Sequence, residues 1–179
     1  MTSTLEQLAA KQALVTISRD IEDVENVHGF VLAVSPRLVL LHELSDFHLD
    51  GYCILSRLDI SRARSGRFER YRSAILKAER VLCGIGLKDE IDLADWESAL
   101  RSLKKLGRNV IVEGERPEVD EFLIGRIQRI NKKSVTMQSF DALGVWETET
   151  HRLAYDEISS VSFDNEYVNT FSKYLRDTG

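Results

Sequence analysis

The apolar positions of the chain change period along its length, and they do so twice in the same order. A helical pattern from Thr4 to about Gln12 runs into a β-branched stretch, Leu14-Val15-Thr16-Ile17. In the second half, Leu93 to Leu106 runs into Val110-Ile111-Val112. Each reads as a helix feeding a strand. The second helix has Asp92 as its expected N-cap, apolar positions at Trp96, Leu100, Leu103 and Leu106, and Gly107 as its stop.

Acidic connections follow, with Asp20, Glu22, Asp23 and Glu25 in one copy and Glu113, Glu115, Glu118, Asp120 and Glu121 in the other. The copies rejoin at a glycine: Gly29 to Val34 aligns with Gly125 to Ile130. Val31 and Val34, like Ile127 and Ile130, are three apart, which breaks two-residue alternation and predicts a bulge or sharp bend after each glycine. Turns at Ser35-Pro36-Arg37 and Asn131-Lys132-Lys133 lead to strands at Leu38 to Leu41 and Val135 to Gln138. Further strands are expected at Tyr52 to Leu55, Asp59 to Ala63, Val145 to Thr148 and Glu157 to Phe163, with Ile60 and Ile158 equivalent and a turn near Asp141 to Gly144. Each copy should end in an amphipathic helix, with one apolar stripe at Phe68, Tyr71, Ile75, Leu76 and Leu82 and another at Tyr167, Phe171, Tyr174 and Leu175. The glycines and charges of Gly84 to Glu90 predict a linker, hence units 1–84 and 85–179. Self-similarity on this scale indicates a mainly β, α+β protein made of two tandem copies.

The pattern resembles the Sm-like branch of the small SH3-like barrels, in which a helix precedes five short, bent strands. Gly29 and Gly125 match the glycine of the second strand in those domains. The resemblance implies two tandem small barrels, each here with an added terminal helix, an architecture found in uncharacterised bacterial proteins. RNA-binding members carry an acidic residue and an asparagine after the second strand and an Arg-Gly pair before the fifth. At those places this chain has Ser35-Pro36-Arg37-Leu38 and Asn131-Lys132-Lys133-Ser134, and Arg57 and Arg152 are followed by leucines. The family's RNA grip is therefore not carried over.

Composition narrows the function. Of the 179 residues 43% are apolar and 30% charged, the balance of a globular protein that folds in water. The start lacks a signal-peptide pattern and no stretch has the length of a membrane span, so a cytoplasmic protein without membrane contact is expected. Cys53 and Cys83, each among apolar neighbours, suit buried free thiols in a reducing compartment. The chain has no complete phosphate-binding glycine loop, Gly-x-Ser-x-Gly, Cys-x-x-Cys or His-Glu-x-x-His. No catalytic residue and no cofactor is assigned, and a non-enzymatic protein is expected.

Two clusters carry candidate chemistry. His42, Asp46, His48 and Asp50 would share one face of an extended segment and offer nitrogen and oxygen ligands to a metal, the basis of a metal-dependent enzyme reading. The competing reading is a polar hairpin tip closed by Asp50-Gly51, with Leu44, Phe47 and Leu49 packed inward. Arg57 to Arg80 holds eight basic and three acidic residues, a local charge of +5 in a chain whose net charge is −5. Arg57, Arg62, Arg64, Arg67, Arg70 and Arg72, with Phe68 and Tyr71 interleaved, could contact phosphates and stack bases, the RNA- or nucleic-acid-binding alternative. The competing reading is a solvated helix face with its aromatics buried. Open strand edges make a non-catalytic interaction or assembly module the leading expectation, with a protein partner or self-association.

Overall fold

The computed structural model describes residues 4–177. Helix α1 (Leu5–Ala10) opens the first half. Thr4 caps it reciprocally with Gln7, its hydroxyl accepting from the Gln7 N–H while the Gln7 side chain accepts from the Thr4 N–H. Strands β1 (Leu14–Arg19), β2 (Val27–Val34), β3 (Leu38–Ser45), β4 (His48–Ser56) and β5 (Ile60–Arg64) follow, then helix α2 (Arg67–Ala78) and a 3-10 turn at Val81–Gly84. The second half repeats this order: α3 (Trp96–Lys105), β6 (Asn109–Gly114), β7 (Glu121–Ile130), β8 (Ser134–Ser139), β9 (His151–Ala154), β10 (Ser160–Phe163) and α4 (Glu166–Ser172).

All ten strands form one open sheet in the order β5-β1-β2-β3-β4-β10-β6-β7-β8-β9. Within each half the fifth strand lies beside the first, and the halves join where β4 pairs antiparallel with β10. The outer strands are β5 and β9. The expected bends are present: register shifts between Val31 and Ala33 in β2, and at the repeat-equivalent place between Ile127 and Arg129 in β7. Each follows a glycine that no other residue could replace without backbone movement. A Cβ at Gly29 would lie 2.3 Å from the His42 carbonyl oxygen, and one at Gly125, where φ is +154°, would lie 2.1 Å from that of Gln138.

The helices fix the two faces. Leu5 and Leu8 of α1 pack on Val15, Ile17, Val31, Val39, Leu41 and Leu55, while α3 buries Trp96, Ala99, Leu100 and Leu103 on the matching face of the second half. That second core also takes in Leu38, Leu40 and Ile54 from the first half, so the halves share a hydrophobic interior across the junction. On the opposite faces α2 inserts Leu76 among Leu14, Phe30 and Leu44, and α4 inserts Val168 among Ile111, Ile124 and Phe140. None of the helices among the described residues is long and apolar enough to cross a membrane.

Several expectations need correction. Helix α3 begins one turn later than expected, because Asp95 rather than Asp92 accepts the capping hydrogen bond, from Ser98 N–H at 2.9 Å. Residues 145–148 form no strand. Val145 and Trp146 make isolated bridges to Arg176 and Phe140, and the fourth strand of this half is β9. Phe68 and Tyr71 are 77% and 70% exposed, since α2 turns Glu69 and Leu76 to the sheet instead. Tyr167 and Tyr174 are likewise exposed, and Cys83 is exposed while Cys53 is buried. The hairpin between β3 and β4 turns at Asp46-Phe47 rather than at Asp50-Gly51, and Phe47 points outward.

Candidate interaction edges and basic face

The β4–β10 junction shows how this chain closes a strand edge. Tyr52, Ile54 and Leu55 of β4 stand opposite Phe163, Val161 and Ser160 of β10, and the Tyr52 ring stacks between His42 and Phe163 at 4.4 and 5.1 Å. Two ion pairs tie the halves together. Arg19 forks onto the Glu115 carboxylate, with Nη2 2.8 Å from Oε1, and Arg116 Nη2 lies 2.7 and 2.8 Å from the two oxygens of the buried Asp59. Burial opposes charge on Glu115, but hydrogen bonds from Arg19 and Ser159 outweigh it and hold its pKa below the ordinary carboxylate value.

Beside the junction lies a polar cleft of about 790 Å³, reached by Arg19, Glu43, Cys53, Asp50, Glu113 and Ser162. Burial pushes the Glu43 carboxyl up to about 7, helped by repulsion from Asp50 and Glu113 and only partly offset by Arg19. Glu113 is raised for the same first reason, although Ser160 donates to it at 2.8 Å. Asp50 accepts from the Glu166 N–H at 2.7 Å, which docks the start of α4 onto β4.

The outer edges are chemically different from the junction. β5 carries exposed Ser61, Arg62 and Arg64, and β9 carries exposed His151 and Arg152 around the single buried Leu153. Arg152 Nε donates to Ser134 Oγ at 2.8 Å, and His151 Nε2 lies 2.7 Å from Glu147 Oε2. A smaller pocket of about 340 Å³ adjoins β9, lined by Glu121, Phe122, Ser139, Glu147, His151 and Tyr167. The Ser139 hydroxyl there is buried with no hydrogen-bond partner among the described residues.

The six candidate arginines separate into two groups. Arg57 donates to the Ser35 carbonyl at 2.9 Å and pairs with Glu6 at 2.8 Å, Arg64 pairs with Glu69, and Arg72 donates to the Asp46 carbonyl with its guanidinium over the Phe47 ring. Arg62, Arg67 and Arg70 are exposed, and their guanidinium groups make no hydrogen bond or ion pair with a described residue. Arg67 and Arg70, with Phe68 and Tyr71, form an exposed basic, aromatic stretch at the start of α2, which is tied to β5 by the Arg64–Glu69 pair. Its foundation is Glu69, buried at 5% exposure. Burial raises its pKa, but hydrogen bonds from Thr16, from the backbone N–H groups of Glu69 itself and Gly66, and from Arg64 overcome that and bring it down to about 2.

The metal candidates do not converge. His42 is buried against Tyr52, its Nδ1 accepting from the Gly86 N–H at 3.3 Å, whereas Asp46 and Asp50 line the junction cleft and His48 is exposed. Among the described residues no group of three or more histidine, cysteine, aspartate or glutamate side chains could hold a metal ion. The junction residues Arg19, Asp59 and Arg116 carry no sequence signal of their own, because they meet only when the two halves share a sheet. Comparison with protein-family models, with curated proteins and with solved structures found no match.

Proposed function

We infer that this protein is a non-catalytic interaction module built from two small Sm-like units, whose working surfaces are its open strand edges. The observation that carries this reading is that the chain joins its own halves by edge pairing, β4 to β10, and leaves the outer edges of β5 and β9 without a partner strand among the described residues. An unpaired edge offers a row of backbone donors and acceptors to another strand. The test is gentle purification at low salt, followed by hydrogen exchange on the isolated complex. A protein partner or defined homo-oligomer that protects residues 60–64 or 151–154 is the expected result. A complex that leaves both segments unprotected would overturn the reading.

A second reading is favoured by the exposure of Phe68 and Tyr71 beside the unpaired Arg67 and Arg70. Flat rings next to free guanidinium groups suit single-stranded nucleic acid, with bases stacked and phosphates neutralised. Anisotropy with labelled single-stranded RNA and DNA tests it. Binding that weakens with salt, and that Phe68→Ala with Tyr71→Ala removes, would favour this reading over the first. No binding at low salt would eliminate it.

A further inference from the structure

We propose that the pocket beside β9 is a binding site for a small primary amine, held as its ammonium ion. Such a site goes beyond the interaction-module reading, because it is a concave surface within the second half and not a strand edge. The pocket lies beside the contact of α4 with the sheet, where Val168 is buried among Ile111, Ile124 and Phe140. Phe122 of β7, Ser139 at the end of β8, the loop from Phe140 to Glu147, and Tyr167 and Phe171 of α4 enclose about 340 Å³. That volume is at the lower end of those that hold small organic molecules.

Three features point to an ammonium group. The first is charge: the carboxylates of Glu121, Asp141 and Glu147 line the pocket, and no lysine or arginine does. Asp141 Oδ1 accepts from the Leu143 and Val145 N–H groups at 2.9 Å, and Glu147 Oε2 lies 2.7 Å from His151 Nε2. The Glu121 carboxylate makes no hydrogen bond or ion pair with a described residue. The second is the set of rings. Phe140 stacks on Phe171 at 5.6 Å and Tyr167 tilts against Phe171 at 4.9 Å, while Phe122 and Tyr167 stay about half exposed. Ring faces attract an organic cation, and their edges pack its alkyl chain. The third is Ser139, 6% exposed, whose hydroxyl has no hydrogen-bond partner among the described residues. A buried hydroxyl left unpaired costs stability, and an ammonium N–H donates to it as readily as to a carboxylate. A quaternary ammonium would satisfy the rings and leave Ser139 without a partner, and an anion would be repelled. The repeat supplies a contrast. Glu43 holds the place of Ser139 in the first half, each opposite its bend glycine, but the junction cleft there includes Arg19 and Arg72. Only the second half has a lining whose formal charges are all negative.

The test is a titration of the isotope-labelled full chain with n-butylammonium chloride at constant ionic strength, followed by NMR amide shifts. Residues 121–124, 139–147 and 167–171 should shift together and saturate. Sodium butyrate should leave them unmoved, and tetramethylammonium chloride should bind about fivefold more weakly, because it cannot donate to Ser139. Glu121→Gln with Glu147→Gln, and separately Phe122→Ala with Tyr167→Ala, should each weaken butylammonium binding about tenfold. Ser139→Ala should weaken it about fivefold without lowering Tm, since the hydroxyl it removes has no partner in the protein. A structural hydroxyl would lower Tm instead. N-acetyl-lysine N-methylamide, titrated in the same way, separates two sources of the amine: affinity equal to that of butylammonium assigns the site to a lysine side chain of another protein, and exclusion assigns it to a free amine. No saturable shift with butylammonium, equal shifts with butyrate, or Ser139→Ala binding as the wild type does would overturn the proposal.

Discussion

Glu43→Gln should stabilise the protein in a pH-dependent way. The Glu43 carboxyl lies at the junction cleft with no hydrogen bond or ion pair from any described residue, near Asp50 and Glu113. In the unfolded chain its carboxyl titrates near 4.5, and in the folded protein it is pushed up to about 7. Below pH 4.5 it is neutral in both states and contributes nothing. As pH rises from 4.5 through 7 the unfolded state releases the proton first, so the folded state loses relative stability, and the loss levels off above 7. At about 1.4 kcal/mol per pH unit, the interval amounts to about 3 kcal/mol. Glutamine keeps the shape and cannot ionise. Urea denaturation should therefore give variant and wild type equal stability near pH 4.5 and a variant more stable by about 3 kcal/mol at pH 8. Glu69 provides the opposite sign, since it is brought down to about 2. Its contribution is present above 4.5 and is lost as pH falls toward 2, so Glu69→Gln should cost about 3 kcal/mol at pH 7 and little at pH 2. A Glu43→Gln effect that is flat with pH, or destabilising throughout, would refute the argument from burial.

Other consequences can be checked with the same purified protein. Gly125→Ala puts a Cβ against the Gln138 carbonyl and should cost more than about 3 kcal/mol in urea. Gly107→Ala, with φ at +69° but nothing within 4 Å, should cost about 1 kcal/mol; equal losses would show that crowding at the bend is unimportant. Arg116→Ala leaves buried Asp59 without its guanidinium and should cost about 2–3 kcal/mol, whereas Arg101→Ala, which removes an exposed pair with Glu97, should cost about 0.5 kcal/mol or less, both read from denaturation midpoints. A maleimide should label Cys83 in the native protein at the rate of a free thiol and reach Cys53 only after unfolding, as mass spectrometry over time would record.

Much of the strand order was legible because the repeat shows itself twice in residues that cannot be moved. Gly29 and Gly125 sit where the neighbouring strand's backbone leaves no room for a Cβ, and the spacing of Val31–Val34 and Ile127–Ile130 marks the bulges that follow. Strand β9 was not legible, since four residues with a single buried side chain, Leu153, give no alternation to detect. The stripe on α2 misled for a different reason. Phe68, Tyr71, Ile75 and Leu76 have helical spacing, but the helix is turned by its carboxylate: Glu69 accepts from the Gly66 N–H and from the Thr16 hydroxyl, and that rotation carries the two rings into solvent. Apolar periodicity cannot register a buried glutamate as the anchor. The ion pairs across the junction were invisible because Arg19 and Glu115, or Asp59 and Arg116, are brought together by the shared sheet alone.

The junction and the outer edges occupy equivalent positions in the repeat, yet their residues have diverged in one direction. Where the edge is closed within the chain, β4 and β10 meet through Tyr52, Ile54, Val161 and Phe163, and the four paired positions carry no charge. Where it is open, the outer strands carry Arg62, Arg64, His151 and Arg152. An edge buried during folding is never free in solution and can be apolar, whereas an exposed apolar edge would pair with any available strand. Charge on β5 and β9 makes pairing conditional on what the other strand carries.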